Sequence, residues 1–200
     1  MTTQTSEHKQ KADAIVAQAR EAAAIFTQYD QEQVDLIVAA AAKAGAAARI
    51  ELARMACEET GMGVFEDKVI KNLFATEYIY HDMRDIKTVG LVHECPSSGI
   101  LEFAEPLGVI LGIIPVTNPT STTMFKALLS LKTRNAIVIC ASRNAARCSA
   151  AAAKVIYDAA REAGAPDYVI RWVDEPSREL TRELMVHPDM ALILATGGMG

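Results

Sequence analysis

The chain has 200 residues, half of them hydrophobic and 22% charged, which suits one large domain or one and a half small ones with a real buried core. A formal net charge of −5 without any Lys/Arg run argues against nucleic acid as a partner. No apolar run approaches the ~18 residues of a membrane span, so no membrane association is expected.

The polar start MTTQTSEHKQKADAIV lacks the apolar core of a secretory signal. The four cysteines (Cys57, Cys95, Cys140, Cys148) are scattered with no CxxC, so a cytoplasmic protein with free thiols is expected. Residues 1–88 read as a helical region. Val34, Ile37, Val38 and Ala41 fall at i, i+3, i+4 and i+7 on one helix face, and Asp30 with Gln33 resembles a capping box at its start. A second helix through Leu52, Ala53 and Ala56 meets Gly61, a natural left-handed stop. Residues 68–84 read as helix again, with Phe74, Tyr78 and Tyr80 spaced for packing.

From Val89 the period changes. Residues 89–94 and 100–105 flank CPSSG, a turn composition, which predicts a β-hairpin arm over 89–106. An arm of this kind often pairs with another subunit. Beyond Pro106, residues 107–200 alternate: strands at 108–114, 136–140, 168–173 and 190–195, helices near 119–132, 145–163 and 177–186. Asn144 is the expected cap of the second of these helices, and Gly164 with Pro166 ends it. Short apolar strands alternating with amphipathic helices predict an α/β fold with a parallel sheet and right-handed crossovers.

The most informative stretch is EPLGVILGIIPVTNPTSTT, residues 105–123. An apolar strand stops at Pro115, and Asn118-Pro119 opens a helix after a short polar loop. Such a strand end delivers backbone amides and an Asn amide to one point, where open α/β sheets bind ligands. Taken alone, Asn118 reads first as an N-cap with Pro119 the first helical residue, a role compatible with the other. Gly197 and Gly198, in ATGGMG, fit a strand-to-helix turn where backbone can approach phosphate or ribose closely.

Several blocks agree in order and spacing: ETGMG, EDKVIKNLFATEYIY, EPLGVILGIIPVTNPTSTTMFKALLSLKTRNAI, REAGAP, WVDEPSREL and HPDMALILATGG. From about residue 30 onward the chain thereby resembles the CoA-acylating aldehyde dehydrogenases, above all the aldehyde dehydrogenase half of the bifunctional aldehyde-alcohol dehydrogenases. The resemblance implies a Rossmann-like parallel sheet of the aldehyde dehydrogenase type, preceded by N-terminal helices and a β-hairpin and incomplete at the C-terminus. It implies interconversion of an aldehyde (acetaldehyde in the nearest relatives) plus CoA and acyl-CoA, with NAD as cofactor, a cysteine thioester, and a homo-oligomer at full length.

By the same resemblance Asn118 donates to the oxyanion. Ile113, Ile114, Pro115, Val116, Thr117 and Asn118 contact the nicotinamide half of NAD, with Gly197 and Gly198 at the dinucleotide turn. Cys140 is a decoy at the end of a strand, where many members carry a ribose-binding Lys; Ser142 or Arg143 are the candidates to replace it, and NADP is left open. None of the four cysteines matches the nucleophile. No metal-ligand spacing appears. The chain therefore reads as the N-terminal portion of such an enzyme, inactive alone. The rival readings are a non-catalytic nucleotide-binding or oligomerisation remnant, and an acylating dehydrogenase for another aldehyde such as succinic semialdehyde or sulfoacetaldehyde.

Overall fold

The computed structural model describes residues 2–197. Helix α1 (Thr2–Phe26) is followed by α2 (Gln31–Ala47), α3 (Arg49–Thr60) and α4 (Phe65–Leu73), which runs through a π-helical turn (Phe74–Tyr78) into α5 (Ile79–Met83). The hairpin β1 (Gly90–Cys95) and β2 (Ile100–Ala104) comes next. Then β3 (Val109–Ile114), α6 (Pro119–Lys132), β4 (Ala136–Ala141), α7 (Ala146–Glu162), β5 (Ile170–Trp172), α8 (Arg178–Met185) and β6 (Met190–Ala195) alternate.

The four strands β3 to β6 pair in parallel in the order β5-β4-β3-β6. Both faces of the central strands are covered, so β4 is buried along its whole length and β3 nearly so. This is why the two strands are continuous apolar runs rather than alternating ones. Helices α6 and α7 pack on each other and on the sheet, with α2 laid across both; α1 and α8 pack on each other and on the sheet. The order matters for function. From β3 the chain winds outward to β4 and β5, then returns to place β6 on the other side of β3. That reversal makes the carboxyl ends of β3 and β6 a topological switch point, where open sheets hold ligands.

Local signals account for most element ends. Asp30 and Gln33 form the reciprocal capping box of α2, and Gly61 ends α3 at φ +63°. Alanines let the early helices approach closely: Ala12, Val16, Ala19, Ala23 and Phe26 bury one side of α1. The arm is rooted by Arg134, whose guanidinium donates to the carbonyls of Thr27 (2.6 Å) and Ala104 (3.1 Å). Asn135 Oδ1 accepts from the N–H groups of Leu107 and Gly108 at 2.7 and 2.9 Å.

Three expectations are corrected. Phe74 and Tyr78 do not pack inward: they stack on each other at 5.9 Å and remain 57% and 61% exposed. The two lie four residues apart on the helix face opposite the buried Lys68, Asn72, Ala75 and Thr76, so they share the solvent side. Tyr80 alone of the three packs against the core. Asn144 does not cap α7; it lies within a 3-10 turn, Arg143–Ala145, and the helix starts at Ala146. The cap comes from Glu59 on α3, whose carboxylate accepts from the N–H groups of Arg147 (2.9 Å) and Cys148 (2.7 Å). The third strand is also shorter than 168–173, because Tyr168 sits at φ +66°, outside the extended region.

Candidate functional site

β3 carries the chain from the core to the surface within a few residues. Ile114 is buried, Ile113, Pro115 and Val116 are half-buried, Thr117 is exposed, and Asn118 is half-buried where α6 begins. Pro119 occupies the first turn of α6 with its fixed φ, as expected. Asn118 does stand at the N-cap position, its carbonyl accepting from the Thr122 N–H at 3.2 Å, but its backbone is at φ −135°, ψ 61° and its side chain makes no cap hydrogen bond. Instead Asn118 Oδ1 accepts from Lys71 Nζ at 3.2 Å. The amide oxygen is thus turned to α4 rather than to the first-turn N–H groups of α6.

The glycine side of the crevice arrives from β6. Ala195 pairs with Ile113, so the turn after β6 lies beside the turn after β3. Gly197 has φ +140°, and a Cβ built on it would stand 3.5 Å from Pro115 Cβ. Any side chain at 197 would be strained and would point into the space between the two turns. Pro115 and Gly197 are therefore brought together as neighbours. Gly198 lies outside the described residues.

Three lysines hold this corner together, and none was singled out from sequence. Lys126, fully buried on α6, donates to the carbonyls of Ile113 (2.7 Å) and Leu194 (2.6 Å), locking β3 and β6 to one helix. Burial pulls its ammonium down to about 8. Lys68, buried on α4, donates to the Thr117 carbonyl at 2.9 Å, and burial lowers its ammonium also. Lys71, a turn later on α4, reaches Asn118 as described. The only sequence hint was a lysine inside the apolar stretch TTMFKALL and a Lys pair at i, i+3 in EDKVIKN.

The two candidate substitutes for a ribose-binding lysine, Ser142 and Arg143, line a cavity of about 710 Å³ at the carboxyl end of β4, together with Ser177, Arg178 and Arg182. Cys140 points away from chemistry: it is 3% exposed, within 3.2 Å of Thr181 Oγ1, and burial raises its thiol. Cys148 is pushed up to about 12 by burial and by the Glu59 carboxylate. Cys95 sits at the end of β1 in the arm, at the hairpin turn.

An open parallel sheet with its crevice at a strand-order reversal defines the Rossmann-like class. Residues 1–200 match the model of the aldehyde dehydrogenase family, and the chain belongs to that family. It is 52% identical over 188 residues to the bifunctional aldehyde-alcohol dehydrogenase AdhE of Escherichia coli strain K12, covering 94% of this chain and 21% of that protein. The fold superposes on an acetylating aldehyde dehydrogenase from Geobacillus thermoglucosidasius with TM-score 0.94 at 41% identity, covering 99% of this chain and 44% of that one. An engineered glycolyl-CoA reductase with bound NADP+ is similar at TM-score 0.80 and 31% identity, over 93% of this chain and 42% of its own. The chain thus spans about a fifth of the bifunctional relative and less than half of these solved structures.

Proposed function

We propose that this chain carries the dinucleotide crevice and the oxyanion donor of an NAD-dependent, CoA-acylating aldehyde dehydrogenase. The reaction is the interconversion of an aldehyde, acetaldehyde in the first instance, CoA and NAD with acyl-CoA and NADH. The observation that carries the reading is the meeting of the β3 and β6 turns, with Pro115 against Gly197, three residues before an Asn side chain that makes no cap hydrogen bond.

The residues present fit a bound dinucleotide. The backbone of 113–117 and the bare Cα of Gly197 allow close approach of a flat ring and a phosphate. When bound, the nicotinamide accepts the hydride released as the aldehyde carbon is oxidised. Asn118 Nδ2 donates to the aldehyde oxygen as that atom gains negative charge on attack by a thiolate. One such donor contributes about 3 kcal/mol to the transition state. Lys126 keeps the two strand ends in register. The nucleophile is none of Cys57, Cys95, Cys140 or Cys148, and we place it in the part of the relatives that this chain does not cover. The engineered glycolyl-CoA reductase is named for a CoA ester, and we extend CoA as a substrate to this chain. The exposed Ile100, Leu101 and Phe103 of the arm suit pairing with a second copy.

Steady-state kinetics of the enzyme at full family length test the assignment. Asn118→Ala is expected to lower kcat for acetaldehyde with CoA by about a hundredfold, with NAD binding by calorimetry retained. Unchanged turnover, or no binding of NAD to the parent enzyme, overturns the reading. Turnover with NADP in parallel decides between the two dinucleotides.

A further inference from the structure

We propose that Lys71 is a positioning residue that sets which end of the Asn118 amide faces the aldehyde oxygen. The proposal rests on the oxyanion role of Asn118 given above.

An Asn amide is planar, with its donor and acceptor ends on opposite sides of the Cβ–Cγ bond, and rotation by half a turn about that bond exchanges them. Only the donor end stabilises an oxyanion; the flipped amide places a carbonyl oxygen against it. In many proteins a helix N-cap decides the matter, because the side-chain oxygen accepts from the first-turn N–H groups. Here that device is absent: Asn118 makes no cap hydrogen bond. Its orientation comes from the neighbouring helix instead. Lys71 Nζ lies 3.2 Å from Asn118 Oδ1, and an ammonium has donors and no acceptor, so it can face only the oxygen. With the oxygen held, the Nδ2 hydrogens point the other way. The positive charge also draws electron density toward Oδ1, which makes the N–H bonds better donors.

The contact belongs to a set. Helix α4 follows the loop residue by residue: Lys68 Nζ on the Thr117 carbonyl at 2.9 Å, Lys71 on Asn118, and Asn72 Oδ1 accepting from Thr120 Oγ1 at 2.8 Å. Lys68 and Asn72 are buried and fix α4 against the loop, while Lys71 is exposed and free of any such packing role. A change at Lys71 therefore tests amide orientation without disturbing the core.

The test is kinetic, in the enzyme at full family length, with four single variants and two double ones. Lys71→Met is expected to lower kcat about five- to tenfold, leaving KM for NAD and CoA within a factor of about two. Lys71→Arg keeps a donor-only cation and restores most of the rate. Lys71→Glu supplies an acceptor, favours the flipped amide, and lowers kcat to the level of Asn118→Ala, about a hundredfold. In an Asn118→Ala background neither Lys71→Met nor Lys71→Glu has any further effect. Wild-type kcat in Lys71→Met, or an undiminished loss in the Asn118→Ala background, overturns the proposal. If Asn118→Ala itself turns over normally, the oxyanion reading falls and the positioning role falls with it.

Discussion

Lys126 and Leu194 meet where helix α6 crosses the end of β6: the ammonium donates to the Leu194 carbonyl at 2.6 Å, and the same nitrogen holds the Ile113 carbonyl at 2.7 Å. One side chain thus joins the two strands that flank the proposed cofactor crevice. Among the described residues no carboxylate accompanies it, so the buried charge rests on two carbonyl dipoles.

That burial has a signed consequence for stability. The Lys126 ammonium titrates at about 8 when folded, against 10.5 ordinarily, because burial penalises the charged form. Between those values the unfolded chain binds more protons than the folded one, so this group makes stability rise with pH across that window. The full effect is about 3 kcal/mol. Lys126→Met is expected to lose this rise. Urea midpoints measured from about pH 7 to 10 check it, and equal slopes in parent and variant would refute it.

Glu59 caps α7 from another helix. Burial raises its carboxyl, but the N–H groups of Cys148 and Arg147 outweigh this and hold it below its ordinary 4.5. The stabilisation is present above the unfolded value and is lost as pH falls through the lowered folded one. Glu59→Ala is expected to cost about 1–2 kcal/mol near neutral pH. In urea unfolding, the gap between parent and variant should close at low pH; a pH-independent gap would count against the cap.

The thiols should separate by reactivity. Cys95 is drawn down to about 7 by hydrogen bonds from Ser97 and Ser98, and it lies at an exposed turn. Burial raises both Cys140 and Cys148, the latter to about 12. Iodoacetamide near neutral pH is expected to label Cys95 well before these two. Peptide mass mapping over time reads the order, and early labelling of Cys140 would contradict the burial described.

Gly45 is a packing requirement rather than a backbone one. A Cβ there would meet Thr76 Cγ2 at 2.7 Å and Ile156 Cδ1 at 2.9 Å, so α2 touches both the π turn and α7 at this point. Gly45→Ala raises helix propensity by about 1 kcal/mol yet is expected to destabilise by about 1–3 kcal/mol overall. Thermal unfolding decides the sign; a stabilised variant would show that the helices can separate.

How much of this was readable from sequence follows from how local each cause is. The bounds of α6, 119–132, came from Pro119 and from the apolar runs on either side. The strand at 109–114 was legible because burial on both faces writes an unbroken apolar run. The cap of α7 was not, because its donor set and Glu59 lie far apart in sequence and nothing in RNAARC marks the missing local cap. The same holds for Asn118: its position was legible, but its freedom from capping depends on α4, whose lysines look like ordinary surface charge. Lys126 was missed because its partners are backbone carbonyls, which leave no trace in residue type.

The root of the arm has a mechanical meaning. Arg134 grips the end of the first helix and the last carbonyl of the hairpin at once, and it stands two residues before the strand that opens at Ala136. Force applied to the tip of the hairpin therefore has a side-chain route into β4, through Arg134 and its neighbour Asn135, beside the covalent one into β3.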